Sequence, residues 1–157
     1  MKKLICVAAL ASVFAFLPAC QHSASDAAVG NMAFSGLEGS HWQLVEFQSM
    51  DDAQGTTRPD DPSKYTITFH NDGSLTAHFD CNRGMGPWQN DIANATGGTL
   101  SIGPLAVTKA FCPEPSMGEM IERNLGYVRS FTVENDRLYM SLMADGGIIV
   151  WQAKPYP

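Results

Sequence analysis

Apolar and polar residues alternate one for one across residues 65–79, and this period limits the fold more than any other feature. Tyr65, Ile67 and Phe69 alternate with Thr66 and Thr68. After the string His70-Asn71-Asp72-Gly73-Ser74, Leu75, Ala77 and Phe79 alternate with Thr76, His78 and Asp80. Successive side chains of an extended strand point to opposite faces, so each run has one apolar and one wet side, and Asp72-Gly73 supplies the turn chemistry between them. The pattern predicts a β-hairpin. A second one is predicted where Leu138, Met140 and Leu142 alternate, Asp145-Gly146-Gly147 turns and residues 148–151 return. Shorter strands are expected at 42–47, 99–102, 105–109 and 130–133.

One stretch follows a different period. Met117, Met120, Ile121, Leu125 and Val128 fall on a single helical face, Ser116 and Glu119 have the spacing of a capping box, and Pro113 and Pro115 bar an earlier start. This predicts a mainly β fold, a curved sheet covered by one α-helix near residues 116–128.

The chain opens Met1-Lys2-Lys3, followed by a charge-free apolar run over 4–17 that is too short to span a bilayer comfortably. It ends Leu17-Pro18-Ala19-Cys20, which resembles the lipobox of bacterial lipoproteins. That resemblance implies a signal peptide over 1–19, cleavage before Cys20 and acylation of that residue, so the membrane becomes a partner through the lipid anchor. The competing reading is an ordinary secretory signal cut after Ala19; either way the protein is exported. Gln21, where inner-membrane retention signals carry Asp, implies sorting to the outer membrane. Residues 20–39 read as the lipidated Cys and a flexible polar tether, with the folded domain over 40–157. Removing 19 residues, two lysines among them, from a chain with 10 basic and 16 acidic side chains leaves a formal charge of −8. Such a surface cannot neutralise a phosphate backbone, so no nucleic-acid partner is expected.

With Cys6 removed and Cys20 lipidated, Cys81 and Cys112 remain in an oxidising compartment, and a disulfide between them is expected. Cys81 is in phase with Leu75, Ala77 and Phe79, which predicts a place on the buried face of the strand. The rival chemistry is a thiol enzyme with His78 as base. Residues at odd separation in a strand project to opposite faces, which argues against it. A metal site could be assembled from His78 and Asp80 with His70 and Asp72, but such residues on a hairpin's outer face are usually only solvated. No P-loop, dinucleotide fingerprint, Gly-x-Ser-x-Gly elbow or His-Glu-x-x-His string occurs, so no cofactor, metal or catalytic residue is expected.

The order Trp42-x-Leu44, the Tyr-x-Ile-x-Phe strand, Cys81-Asn82-x-x-x-Gly86-x-Trp88, Leu100-x-Ile102, Thr108-Lys109-Ala110-Phe111-Cys112-Pro113 and a helix containing Glu119 and Leu125 resembles the META domain of HslJ-like proteins. The resemblance runs over nearly all of residues 40–151. It implies an antiparallel, barrel-like β fold in which the two cysteine motifs approach each other, and a non-enzymatic envelope role associated with heat shock, envelope stress and novobiocin tolerance. From the residues alone, 82–86 reads as a turn whose glycines permit positive φ, with Thr108 satisfying a nearby backbone group. The alternative is a recognition surface made of Asn82, Arg83, Gly86, Trp88 and Thr108. The function expected is a stress-related binding module for a protein or envelope component; the alternative is a lipocalin-like carrier of a small apolar ligand.

Overall fold

The computed structural model describes residues 36–157. The expected signal peptide over 1–19, Cys20 and the expected tether up to residue 35 lie outside the described residues. Strands are β1 (Ser40–Gln48), β2 (Thr56–Thr57), β3 (Tyr65–Phe69), β4 (Ser74–Phe79), β5 (Asn82–Asn94), β6 (Gly97–Ile102) and β7 (Ala106–Val107). The helix α1 (Gly118–Leu125) follows, then β8 (Val128–Glu134), β9 (Arg137–Leu142) and β10 (Ile148–Lys154). All pairings are antiparallel in the order β10-β9-β8-β6-β5-β4-β3-β1, and β10 pairs back onto β1 from His41↔Lys154 to Gln48↔Ile148. The result is a closed eight-stranded barrel with β2 and β7 attached outside the circuit.

The alternating hairpins sort as their period requires. Tyr65, Ile67, Phe69, Leu75, Ala77 and Phe79 are all buried, while His78 is exposed and Thr66 half-exposed. At the tip Gly73 takes φ 78, and the Asp72 carboxylate accepts the Ser74 amide at 2.9 Å and its hydroxyl at 2.6 Å. These bonds hold the Asp72 carboxyl below its usual pKa. Trp42, Leu44, Leu100, Leu138, Met140 and Trp151 complete the interior, and Trp88 meets Phe69 edge-on at 4.8 Å between ring centroids.

The folded part begins ahead of Ser40. Leu37 is fully buried, and the Gly39 N–H donates to the Phe69 carbonyl at 2.8 Å, so the last tether residues belong to the domain.

The 82–86 segment departs further from expectation: it is not a turn but the start of the longest strand, β5. Gly84 and Gly86 are needed there for close approach rather than for positive φ. A Cβ on Gly84 would sit 2.7 Å from the Phe79 ring, and one on Gly86 2.6 Å from Leu105 and 2.7 Å from the Pro104 carbonyl. The 105–109 strand shrinks to β7: the Thr108 N–H still bonds the Arg83 carbonyl, but by Ala110 the backbone bonds to the side chain of Asn82 in place of a strand partner.

The helix is shorter than its apolar stripe, for Val128 already belongs to β8. No reciprocal capping box forms: the Ser116 hydroxyl accepts the Gly118 N–H at 3.2 Å, whereas the Ser116 N–H goes to the Glu114 carboxylate at 3.0 Å. Ile121 and Leu125 are fully buried, and the Met117 N–H donates to the Tyr65 hydroxyl at 3.0 Å, tying the helix start to β3. Gly118 presses so closely on β4 that a Cβ would lie 2.8 Å from the Phe79 carbonyl, whereas one on Gly126, at φ −66, meets nothing nearer than 3.8 Å. Gly118→Ala is therefore expected to cost about 1–3 kcal/mol by overpacking. Gly126→Ala should be neutral or gain up to about 1 kcal/mol through the unfolded chain. Paired thermal melts check the contrast, which disappears if the helix does not sit against Phe79.

Candidate functional site

Two segments distant in sequence meet where β4 turns into β5. Asp80 takes φ 62, and that reversal ends the alternation of β4. Cys81 is consequently exposed in the turn, not on the buried face that its phase with Leu75, Ala77 and Phe79 predicts. Residues 108–112 run alongside the start of β5, and the Cys81–Cys112 disulfide joins the two, with Cα atoms 5.6 Å apart.

Asn82 makes the rest of the junction. Its Oδ1 accepts the Ala110 N–H at 2.8 Å and the Thr108 hydroxyl at 2.9 Å, while its Nδ2 donates to the Ala110 carbonyl at 2.9 Å. The carboxamide offers Ala110 the donor and acceptor that a neighbouring strand would offer. Thr108 closes the set: its hydroxyl accepts the Arg83 N–H at 3.0 Å, and its own N–H donates to the Arg83 carbonyl at 3.0 Å. Lys109 reaches the other way, with Nζ 2.7 and 2.8 Å from the two Glu122 carboxylate oxygens on α1.

Of the residues that sequence grouped as one recognition set, the clasp brings Asn82, Arg83 and Thr108 together and leaves Gly86 and Trp88 outside it. Asn82 and Thr108 bond each other and backbone, Gly86 lies against the Pro104-Leu105 segment, and Trp88 is 4% exposed with its indole N–H donating to the Ser74 carbonyl at 2.9 Å. Arg83 alone of the five points a charged side chain to solvent. The residue that sequence reasoning passed over is Phe111, 90% exposed between clamped Ala110 and disulfide-bonded Cys112. A lone apolar residue in a segment without period carries no signal of its orientation.

A disulfide closing a loop with a sequence separation of 31 contributes about 3–4 kcal/mol on the chain-entropy model. Cys81→Ser is expected to lower the melting temperature by roughly ten degrees. Asn82→Asp keeps the acceptor but sets a carboxylate against the Ala110 carbonyl, so it should destabilise at least as much as Asn82→Ala, by about 1–3 kcal/mol. Denaturant unfolding of both variants checks this; an Asn82→Asp protein as stable as the parent would remove Asn82 from the clasp.

The residues weighed for metal or acid–base chemistry bond mostly to other partners. Asp80 faces Lys64 at 3.3 Å in the turn, His78 stands on the outer wall, and His70 bonds the Tyr156 hydroxyl and the Thr76 hydroxyl, both at 2.9 Å. Among the described residues no group of three or more His, Cys, Asp or Glu side chains comes together as a metal site. A surface cleft of about 430 Å³ is lined on the far half of β5 by Trp88, Asn90 and Asp91 together with Glu38 and Asn71, away from the clasp.

Two outer-wall imidazoles are held below their ordinary pKa. Burial does most of it for both; His78 and Lys154 add to the effect on His41, and Arg83 to that on His78. The unfolded chain therefore binds protons at a pH where the folded chain does not. The stability from this source is complete above the ordinary imidazole value, about 6.5, and is lost as pH falls through it toward the folded values. The melting temperature is expected to fall between pH 7.5 and 5.5, and the His41→Gln/His78→Gln protein should show a shallower fall. An unchanged slope would assign the loss to other groups.

The family model of the META domain matches residues 35–155. The chain belongs to the META domain family. The META fold here is similar to an NMR structure of a protein from Burkholderia xenovorans, with TM-score 0.60 at 20% identity over 76% of this chain and 84% of that one. It is also similar to the crystal structure of a DUF4847 family protein from Bacteroides vulgatus, with TM-score 0.54 at 16% identity over 76% of this chain and 95% of that one. At these identities the likeness concerns the fold. A search of curated proteins gives no match.

Proposed function

We propose that this META protein is a non-enzymatic, HslJ-like binding module of the cell envelope, exported and held at the outer membrane by lipid on Cys20, that engages a protein or envelope component during stress. The observation that carries the reading is Phe111. A phenylalanine 90% exposed gains nothing for the fold, yet the backbone on both sides of it is fixed by the Asn82 bonds and the disulfide. A large apolar side chain presented on an ordered backbone lowers the ordering cost of association, which is the arrangement of a binding anchor. Both cysteines of the domain are in the disulfide, and Asp80 is paired with Lys64. The alternative of a carrier for a small apolar ligand meets an interior already occupied by Trp42, Phe69, Met140 and Trp151.

Phe111→Ser in the full-length chain is expected to melt as the parent does but to fail in restoring stress tolerance to a deletion strain, and a photo-crosslinking residue at position 111 should capture the partner in the host. Met50→Ser, exposed elsewhere, should restore it fully. Full restoration by Phe111→Ser overturns the reading, and a folded His78→Ala or Asp80→Ala protein without activity would make this an enzyme or a metal site.

A further inference from the structure

The outer wall of the barrel between β10 and β5 carries a charge pattern at odds with the rest of the chain. Pairing places Lys154, His41, Thr68, Thr76 and Met85 in one cross-strand row. The adjacent row runs Gln152, Gln43, Thr66, His78 and Arg83. Between β10 and β5 neither row contains a carboxylate, although acidic residues outnumber basic ones 16 to 10 in the sequence; past Gln152 the second row continues through Arg137 of β9 to Glu134 of β8. Thr68 is buried beneath the first row, where its hydroxyl lies 2.7 Å from His41 Nδ1 and fixes that ring.

We propose that this wall, from Lys154 across His41 and His78 to Arg83, docks on the phosphate headgroups of an anionic bilayer, and docks more tightly as the medium acidifies. The occupant follows from charge and from chain path. Phosphates complement a surface whose charged groups are cations. The chain enters the barrel beside it, since the Gly39 N–H bonds the Phe69 carbonyl and His41 is among the first residues of β1. Sixteen peptide units separate Cys20 from Gly36, a covalent reach of at most about 55 Å. A lipid on Cys20 would thus keep the wall within reach of a membrane; the proposal rests on the lipid-anchor reading for that encounter only.

The pH response follows from what faces each imidazole. His41 meets Lys154 and Gln152 from β10, Thr66 and Thr68 from β3, and His78 from β4; His78 meets Thr66 from β3 and Arg83 from β5. The hairpin's carboxylates stand at its two ends, Asp72 bonded to Ser74 and Asp80 paired with Lys64, while beyond Gln152 stand Arg137 of β9, Glu134 of β8 opposite it, and Asp136 in the turn between them. Protonation therefore adds charge to a stretch of wall without an acid between β10 and β5. Burial and the neighbouring cations disfavour the charged imidazoles, the negative potential of an anionic surface favours them, and each histidine that becomes charged there raises partition about five-fold.

The test is hydroxyl-radical footprinting of the full mature protein, purified from its host, in neutral phosphatidylcholine vesicles and in vesicles one-third phosphatidylglycerol. Met85, 59% exposed in the wall, is the probe; Met50 and Met143, 54% and 43% exposed elsewhere, are internal controls. In anionic vesicles at pH 5.5 Met85 oxidation is expected to fall at least five-fold relative to both controls, less at pH 7.5, and to recover in 0.5 M salt or in a His41→Gln/His78→Gln/Arg83→Gln protein. Equal oxidation of Met85 in the two vesicle types overturns the proposal, as does protection of all three methionines together. Equal protection by 10 mM inorganic phosphate in neutral vesicles assigns the wall to a soluble anion and overturns the headgroup docking. Flotation with neutral vesicles reports the anchor separately: a protein that floats only with anionic vesicles, Met85 protected, loses the anchor and keeps the wall.

Discussion

The pairing of β10 with β1 brings the last strand of the chain back to the first and turns a long twisted sheet into a barrel. An open sheet would leave two rows of unpaired backbone groups and two faces to cover; closure removes the edges and leaves a single inside. That inside is filled by the apolar residues of the alternating strands, with Trp151 of β10, Leu44 of β1 and Phe69 of β3 among those fully buried or nearly so. Once the sheet is closed, each inward residue has an outward neighbour on the same strand. The polar complement of the core becomes a continuous outer wall, and the chemistry available to a partner is confined to that wall and to the loops.

Among the loops, the one after β7 is unlike an ordinary surface connection. It has no strand partner of its own, yet its backbone is ordered by one carboxamide, one hydroxyl and one disulfide drawn from the start of β5 and from the loop itself. The Lys109–Glu122 pair extends the junction to α1, although an ion pair this exposed adds little to stability. The most exposed large apolar side chain of the described residues stands in the middle of this arrangement. The two cysteine-bearing segments are therefore one structural device: they hold a loop in shape, and the shape presents Phe111.

Both hairpins, the helix and the pairing of the two cysteines were legible in the residues, and so was the META resemblance. The 82–94 strand was not. Asn82-Arg83-Gly84-Met85-Gly86-Pro87 contains residues that favour turns, and only its neighbours make it a strand: β4 on one side, β6 and β7 on the other, with Phe79 and Leu105 pressing where glycine leaves room. Strand propensity measures how a side chain fits a pleated, half-buried surface, and it fails where the surface needs the side chain to be absent. The buried position expected for Cys81 failed for a related reason, since one residue at positive φ, Asp80, resets the phase.

What the sequence determined by itself was local: which side chains of a strand face inward, where a hairpin turns, and where a helical stripe replaces a strand. Period and turn chemistry act between near neighbours and need no knowledge of the rest of the chain. The tertiary structure decided that Asn82 clamps Ala110, that Lys154, His41, His78 and Arg83 lie side by side, and that Phe111 remains outside. These arrangements depend on the register between strands far apart in sequence, and register is fixed only when the barrel closes and a single pairing buries the whole apolar set.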